Sequence, residues 1–163
     1  MIINENTKIL LFRFSNFGKN SFIAAHMEIL KKHGYVWMLK LGKRSSVEKL
    51  NEIKENGGWI VLRSPKADGS KSYIAKFSDI SEEEPVNKVY PGYYKEIFNE
   101  SDDKDYFNSN ITHQWFKIEW IAELIESDAE SLVVSQTGKM VNDVIGTTRT
   151  AVMFIQNNKA ITI

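Results

Sequence analysis

The stretch WIVLRSPKADGSKSYIAKF, residues 59–77, predicts a β-hairpin and is the clearest local feature of the sequence. Apolar residues fill its first four positions, and the segment at 67–70, Ala-Asp-Gly-Ser, is typical of a tight turn. After the turn, Tyr73, Ala75 and Phe77 alternate with other residues, as in a strand with one buried face. The stretch therefore predicts two antiparallel strands.

Further strands are predicted on both sides of the hairpin, from short runs rich in apolar, β-branched and aromatic residues. These runs cover 8–14, 35–41, 114–121, 132–135, 151–155 and 160–163. The last two runs are predicted to pair as a terminal hairpin around Asn157 and Asn158. The two strands of the hairpin at 59–77 bring the candidate segments to eight, and we expect a sheet of about seven strands.

Three or four short helices are predicted between these strands, at 21–33, 45–56, 90–98 and 139–145. In the first helix, Ile23, Met27 and Leu30 recur at helical spacing and predict a buried stripe. This stripe leaves His26 partly exposed. Gly34 is expected to end the helix in the left-handed conformation that glycine adopts without strain.

The order of these elements predicts a single α+β domain over residues 1–163. The strands are not separated by a regular series of helices, which disfavours a doubly wound parallel sheet. The pattern favours a mixed, curled sheet or a pseudobarrel of about seven strands, accompanied by the short helices.

Composition and charge restrict the classes of function. The chain has 21 basic and 21 acidic residues and a pI near 6.8, so the excess of Lys and Arg typical of non-specific nucleic-acid binding is missing. It has no cysteine, which excludes disulfides and zinc-thiolate sites within it. Neither a signal peptide nor a membrane span is recognised, and we expect a cytoplasmic protein that does not enter membranes.

The sequence contains no recognisable catalytic or metal-binding motif. His26, His33 and His113 do not have the spacing of metal ligands. The segment Thr-Gly-Lys at 137–139 lacks the first glycine and the final hydroxyl residue of a phosphate-binding loop, and no G-x-S-x-G nucleophile motif is present. We therefore expect no catalytic residues, no metal and no cofactor.

The aromatic residues are the main candidates for ligand binding. The chain has four Trp, six Tyr and nine Phe, and every Trp lies on or beside a predicted strand. In the strand predicted at 114–121, Trp115 and Trp120 face opposite sides, so both belong to the core only if the strand is covered on both faces. Trp115, which shares its face with Lys117 and Glu119, is therefore predicted to line a cleft.

Four segments of the chain follow each other in a familiar order: ILLFRFS at 9–15, GYVWML at 34–39, YIAKF at 73–77 and QWFKI at 114–118. This order resembles the EVE and related families of the PUA-like superfamily, over about residues 8–125. The resemblance implies a pseudobarrel whose cleft holds a modified or flipped base between aromatic side chains. The first strand departs from the EVE pattern because Phe12 and Arg13 stand where Trp and Lys are typical.

The resemblance also implies that polar and stacking side chains near the end of the first strand read the base, with an aromatic wall behind it. Serine and asparagine can hydrogen-bond to a base edge, and an aromatic ring can stack on it. To the residues implied by position we add Trp115, from its strand face, and Lys40, as a contact to phosphate. The candidate ligand-binding residues are Ser15, Asn16, Phe17, Trp37, Lys40 and Trp115. The other interpretation of the turn is an ordinary strand-to-helix connection in which Asn20 or Ser21 caps the helix.

These observations lead to a hypothesis with two alternatives. The leading hypothesis is a non-catalytic module that recognises a modified or flipped nucleobase in DNA or RNA. The first alternative is a protein-interaction or prophage-type accessory module that contacts a partner protein through exposed aromatic residues. The second is a small enzyme that acts on nucleotides or nucleic acid through carboxylates scattered in the sequence.

Overall fold

The computed structural model describes residues 1–100 and 113–163. That part of the chain forms nine strands and five α-helices. The strands are β1 (Ile2–Ile3), β2 (Lys8–Arg13), β3 (Val36–Leu41), β4 (Trp59–Arg63), β5 (Ser72–Ser81), β6 (His113–Leu124), β7 (Leu132–Val134), β8 (Val152–Asn157) and β9 (Ile161–Thr162). The α-helices are α1 (Phe22–His33), α2 (Val47–Glu55), α3 (Tyr94–Glu100), α4 (Glu126–Ala129) and α5 (Val141–Val144), and 3-10 turns lie at Lys66–Asp68 and Ile145–Thr147.

Seven of these strands are hydrogen-bonded in one mixed sheet, in the order β3-β6-β5-β4-β2-β8-β7, and β1 pairs separately with β9. The predicted α+β class and the number of strands in the sheet are therefore confirmed. Within the described ranges, β3 and β7 stand at the two ends of the order and do not pair with each other, so the sheet is not a closed barrel. The sequence at 99–110 is rich in acidic residues and predicts an acidic loop, and most of this stretch lies outside the described residues.

The chain divides into two compact units. The first consists of Met1–Ser15, Glu48–Lys76 and Ile121–Ile163, and the second of Asn16–Val47 and Phe77–Trp120. Each unit is built from segments that are distant in sequence, so no single boundary in the chain separates them. The expectation of one domain stays a prediction.

In the first unit, β2 lies between two partners of opposite direction. It pairs in parallel with β4 and antiparallel with β8. Ile9, Leu10 and Leu11 are all fully buried, although they point alternately to the two faces of the sheet. A strand covered on both faces requires such a continuous apolar run, which explains the sequence of β2.

The central hairpin predicted from residues 59–77 is confirmed in the same unit. β4 and β5 pair antiparallel, with Trp59 opposite Lys76 and Arg63 opposite Ser72. The turn between them closes at Gly69, whose φ of 84° lies in the left-handed region that favours glycine. Lys76 places its ammonium group 4.7 Å from the ring centre of Trp59.

The predicted terminal hairpin is wrong. β8 pairs with β2 and β7, whereas β9 pairs with β1. Asn157, which was expected in a turn, is the last residue of β8 and is fully buried. Its side chain accepts a hydrogen bond from the Thr7 amide at 3.0 Å and donates to the carbonyl oxygens of Asn4 and Lys159, each at 2.8 Å. The asparagine thus forms hydrogen bonds with backbone groups near both ends of the chain. These bonds hold it at the end of β8, and it does not form the predicted turn.

The second unit contains α1 and the antiparallel pair of β3 and β6. Both predicted ends of α1 are confirmed, because the Ser21 side chain accepts a hydrogen bond from the Ala24 amide and Gly34 adopts a φ of 79°. The buried face differs from the predicted stripe, however. Phe22 and His26 are the fully buried residues of α1, so the expectation that His26 is partly exposed is wrong.

No helix in the described part of the chain is long and apolar enough to cross a membrane.

Candidate functional site

Three of the predicted site residues meet in an aromatic cluster in the second unit. Its buried members are Leu39, Tyr90, Tyr93, Tyr94 and Trp115, and its partly buried members are Phe17, Ala25, Trp37 and Ile97. These residues come from the turn before α1, from α1, β3 and β6, and from α3 with the segment that leads into it, so they are far apart in sequence. We refer to this group as the aromatic cluster.

Trp115 belongs to the interior of the aromatic cluster. It has no exposed surface, and its ring centre lies 5.4 Å from that of Tyr90 and 5.9 Å from that of Tyr94. On the opposite face of β6, Phe116 is also fully buried and packs edge-on against Phe77. The prediction that Trp115 lines a cleft is therefore wrong, because β6 is covered on both faces.

A chain of hydrogen bonds fixes His26 against the aromatic cluster. Its Nδ1 lies 2.6 Å from the carbonyl oxygen of Phe22, and its Nε2 lies 2.6 Å from the Tyr94 hydroxyl. Burial lowers the pKa of His26 to about 4, so the ring is neutral at pH 7. Because a carbonyl oxygen only accepts, Nδ1 carries the proton and Nε2 accepts from Tyr94. The Tyr94 oxygen in turn accepts from the amide of Leu39 at 3.1 Å.

In this series of hydrogen bonds, both ring nitrogens of His26 and the Tyr94 hydroxyl have a partner. Burial raises the pKa of the Tyr94 hydroxyl well above its usual value. Both titratable groups are buried and neutral near pH 7. The arrangement therefore holds α1, β3 and α3 together within the second unit. It does not present an accessible acid or base to a substrate.

The turn before α1 places Asn16 and Phe17 in packing contacts. The Asn16 side chain accepts a hydrogen bond from the Phe22 amide at 2.9 Å, which satisfies one of the free amides at the start of the helix. The Phe17 ring stacks on Tyr93, with centres 5.9 Å apart and planes inclined by 12°. Phe17 and Trp37 both remain partly exposed, so they are the predicted aromatic residues with surface available to a ligand.

Lys40 does not extend into a binding surface. The residue is buried, and its ammonium group donates a hydrogen bond to the carbonyl oxygen of Lys43. Burial also lowers its pKa. The prediction that Lys40 contacts a phosphate is not supported in this conformation.

Ser15 lies in a different place, in a strongly basic cleft of the first unit. The cleft has a volume of about 410 Å³. Its cationic lining residues are Arg13, Arg63, Lys66 and Arg149, and its hydroxyl-bearing ones are Ser15, Ser64, Ser70 and Thr150. Within the described residues, no Asp or Glu lines it. We call this site the arginine cleft, because three of the four arginines in the sequence line it.

Two of these arginines are brought together by the parallel pairing of β2 and β4. Arg13 and Arg63 are the last residues of their strands and lie directly opposite each other, so their side chains leave the same face of the sheet. The carboxyl ends of parallel strands are a common location for ligands in open sheets. The strand pairing therefore builds the centre of the cleft.

In the part of the chain that the structure describes, neither Arg13 nor Arg63 forms an ion pair with a carboxylate. Arg13 donates to the carbonyl oxygen of Thr148 at 2.7 Å, and Arg63 donates to the Ser70 carbonyl at 3.0 Å and the Asn142 side chain at 2.6 Å. Burial and the charge of Arg13 both lower the pKa of Arg63. The two positive charges thus repel each other across the sheet, and the cleft attracts anions.

A second cavity in the first unit, of about 540 Å³, is less polarised. Lys8 in its wall forms an ion pair with Glu52, and the ammonium group of Lys49 lies 4.8 Å from the centre of the Phe154 ring. The cations of this cavity therefore have partners of their own. Among the described residues, no group of His, Asp and Glu is placed to hold a metal ion.

The arginine cleft was missed by sequence reasoning, although a signal for it exists. The strands β2 and β4 are apolar runs that each end in arginine, and a serine follows within two residues, in LLFRFS and IVLRS. In the sequence, Arg13 stands out only as a departure from the EVE pattern. The balanced total charge concealed a local concentration of arginine.

Comparison of the chain with models of protein families, with curated proteins and with solved structures finds no match.

Proposed function

We propose that this protein is a non-catalytic module that binds nucleic acid, with the arginine cleft as the contact to phosphate. One observation carries the proposal. Arg13 and Arg63 lie opposite each other in a cleft that no Asp or Glu of the described residues lines. Guanidinium groups donate two parallel hydrogen bonds to phosphate oxygens, which makes arginine the usual residue for phosphate recognition.

The balanced charge of the whole chain is compatible with this function. Proteins that slide along nucleic acid neutralise many phosphates and need an extended basic surface. Here the concentrated charge lies in one cleft of about 410 Å³, near the lower end of the size range of small-molecule sites. Binding would therefore involve few phosphates and would depend only moderately on salt.

The module is further proposed to recognise a modified or flipped base. The resemblance to EVE domains and two aromatic residues support this. Phe17 and Trp37 belong to the aromatic cluster and keep exposed surface. Stacking of a base on an aromatic ring is worth about 1–3 kcal/mol. Asn16 is a weaker candidate, because its side-chain oxygen is already bonded to the start of α1.

The proposal is tested by fluorescence anisotropy with labelled single- and double-stranded DNA and RNA, at about 50 mM and about 200 mM salt. Arg149→Ala is the first variant, because Arg149 is exposed and its loss should not disturb the fold. We expect it to weaken binding and to reduce the salt dependence by roughly one phosphate contact, a slope change of about 0.7–0.9.

Lys54→Ala is the matched control, because it removes one exposed positive charge from the same unit outside the cleft. Equal effects of the two variants would argue against the cleft as the contact. Lack of binding to any of the four nucleic acids at low salt would overturn the proposal. Phe17→Ala and Trp37→Ala test the base-stacking part separately, by comparing oligonucleotides with modified and unmodified bases.

A further inference from the structure

The positive charge of the arginine cleft exceeds what one internal phosphate of a nucleic acid neutralises. Three guanidinium groups and one ammonium group line it, with no Asp or Glu among the described lining residues. An internal phosphodiester carries one negative charge. A phosphomonoester carries about 1.5 to 2 near neutral pH. An anion with two charges therefore matches the cleft better than a phosphodiester does.

The position of the arginine pair suits a single, highly charged group. Arg13 and Arg63 stand opposite each other on neighbouring strands, which are about 4.8 Å apart in a sheet. Their guanidinium groups can therefore donate to oxygens of the same phosphate. Arg63 is held in place by hydrogen bonds to Ser70 and Asn142, and each of the two nitrogens involved keeps a second N–H for a ligand.

Two donors, one on Arg63 itself and one on Ser72 of the neighbouring strand β5, lack acceptors among the described residues. The Nε of Arg63 and the hydroxyl of Ser72 are buried without a hydrogen-bond partner in the described part of the protein. Ser72 is the residue opposite Arg63 across the β4–β5 pair, so both groups belong to the same face of the sheet. Buried donors are satisfied in most proteins. Arg63 lines the cleft whereas Ser72 does not, so the unpaired Nε–H of Arg63 is the donor that favours a ligand rich in acceptor oxygens, and a phosphomonoester has three.

We propose that the arginine cleft binds the phosphomonoester group of a nucleotide in preference to an internal phosphodiester. The cleft, at about 410 Å³, has room for a group on the order of one nucleotide in size. The phosphomonoester comes from the phosphorylated end of a nucleic-acid strand or from a free mononucleotide. The first of these sources rests on the function proposed above.

The test compares three oligonucleotides of one sequence, with a 5′-phosphate, a 3′-phosphate or hydroxyl groups at both ends, in competition for the protein in chloride buffer. We expect a phosphorylated end to bind at least about tenfold more tightly than the hydroxyl ends. This preference should be lost in Arg149→Ala and kept in Lys54→Ala. Equal affinity for all three oligonucleotides would overturn the inference, and the proposed nucleic-acid binding would survive.

A second arm separates the two sources. Thermal unfolding is measured with a nucleoside 5′-monophosphate, with the matching nucleoside and with inorganic phosphate. A stabilisation by the monophosphate alone or by both phosphates, lost in Arg149→Ala, would support the cleft as a phosphomonoester site even if no oligonucleotide binds. In that case only the proposed nucleic-acid function fails. If no oligonucleotide binds, the absence of stabilisation by either phosphate would overturn the inference.

The variant Arg63→Lys examines the geometry directly. Lysine keeps the positive charge but lacks the planar guanidinium group. In the wild type, hydrogen bonds to Ser70 and Asn142 orient that group. We expect its end preference to fall at least about fivefold, as a point charge cannot reproduce the paired hydrogen bonds. Unchanged preference in a variant whose circular dichroism matches the wild type would show that charge alone is responsible, which contradicts the proposed role of Arg63.

Discussion

Arg13 and Arg63 lie directly opposite each other at the ends of the parallel strands β2 and β4. Like charges in this position destabilise a sheet. Burial adds to this effect. Both burial and the positive charge of Arg13 lower the pKa of Arg63. An arrangement that opposes folding stability and faces a cleft is typical of a binding site.

Replacing Arg13 should separate stability from binding. Arg13→Met keeps apolar bulk, removes the repulsion with Arg63 and loses the hydrogen bond to Thr148. We expect the free energy of unfolding without ligand to change by less than about 1 kcal/mol, because the two effects oppose each other. The increase in Tm caused by inorganic phosphate should shrink in the variant. Equal stabilisation of both proteins by phosphate would show that Arg13 does not contribute to anion binding.

The Tyr94 hydroxyl is expected to matter for stability. Tyr94→Phe leaves His26 Nε2 and the Leu39 amide without their partner in a buried site. Each unsatisfied group costs about 1–3 kcal/mol, so we expect a loss of at least about 2 kcal/mol in urea unfolding.

The control for Tyr94 is Tyr73→Phe. The Tyr73 ring is partly buried and packs against Phe14, with ring centres 6.4 Å apart. Its replacement should change the free energy of unfolding by about 0.5 kcal/mol or less. Similar losses in the two variants would contradict the role assigned to the buried chain of hydrogen bonds.

His26 should make the protein less stable in mild acid. Its pKa falls from the usual 6.5 to about 4 in the folded protein because burial disfavours the charged ring. The unfolded chain therefore binds more protons between these values. The stability that the neutral ring contributes is complete above about pH 6.5 and is lost as the pH falls towards 4, by at most roughly 3 kcal/mol.

Urea unfolding at several pH values between 4 and 7 measures this effect, with His26→Gln as the comparison. The variant has no titrating side chain at this position, so its stability should vary less across the same range. A pH dependence that is identical in the two proteins would show that other groups are responsible.

Asn157 is expected to tie the ends of the first unit together. Asn157→Ala removes four hydrogen bonds with the backbone, from the amide of Thr7 and to the carbonyl oxygens of Ile3, Asn4 and Lys159, in a fully buried position. We expect a loss of about 2–4 kcal/mol in the free energy of unfolding. Asn158→Ala is the matched control, since that side chain is exposed. Its effect should remain within about 0.5 kcal/mol, and comparable losses in the two variants would contradict the structural role of Asn157.

Local features of the fold could be predicted from short stretches of sequence. Ser21 and Gly34 end α1 as expected, and the central hairpin pairs Trp59 with Lys76 around a turn at Gly69. In these cases the determining contacts join residues close in sequence. Their hydrogen bonds and backbone conformations depend on residue type and spacing alone.

The candidate site could be predicted only in part. Ser15 lines the arginine cleft, but Trp115 is buried and Lys40 bonds to a neighbouring carbonyl. The alternation of residues in β6 showed correctly that Trp115 and Trp120 face opposite sides. It could not show that both faces are covered, because the cover over Trp115 comes from Tyr90 and Tyr94, which lie more than twenty positions earlier.

The sequence by itself determined where most strands and helices begin and end, since apolar periodicity, caps and turn residues act over a few positions. Apart from the hairpin of β4 and β5, the tertiary structure alone decided which strands are neighbours. Arg13 and Arg63 are fifty positions apart, and β9 pairs with β1 from the other end of the chain. Such pairings depend on the burial of both faces of β2 and on buried side chains such as Asn157. No local pattern contains these contacts, so the arginine cleft becomes visible only when the sheet is assembled.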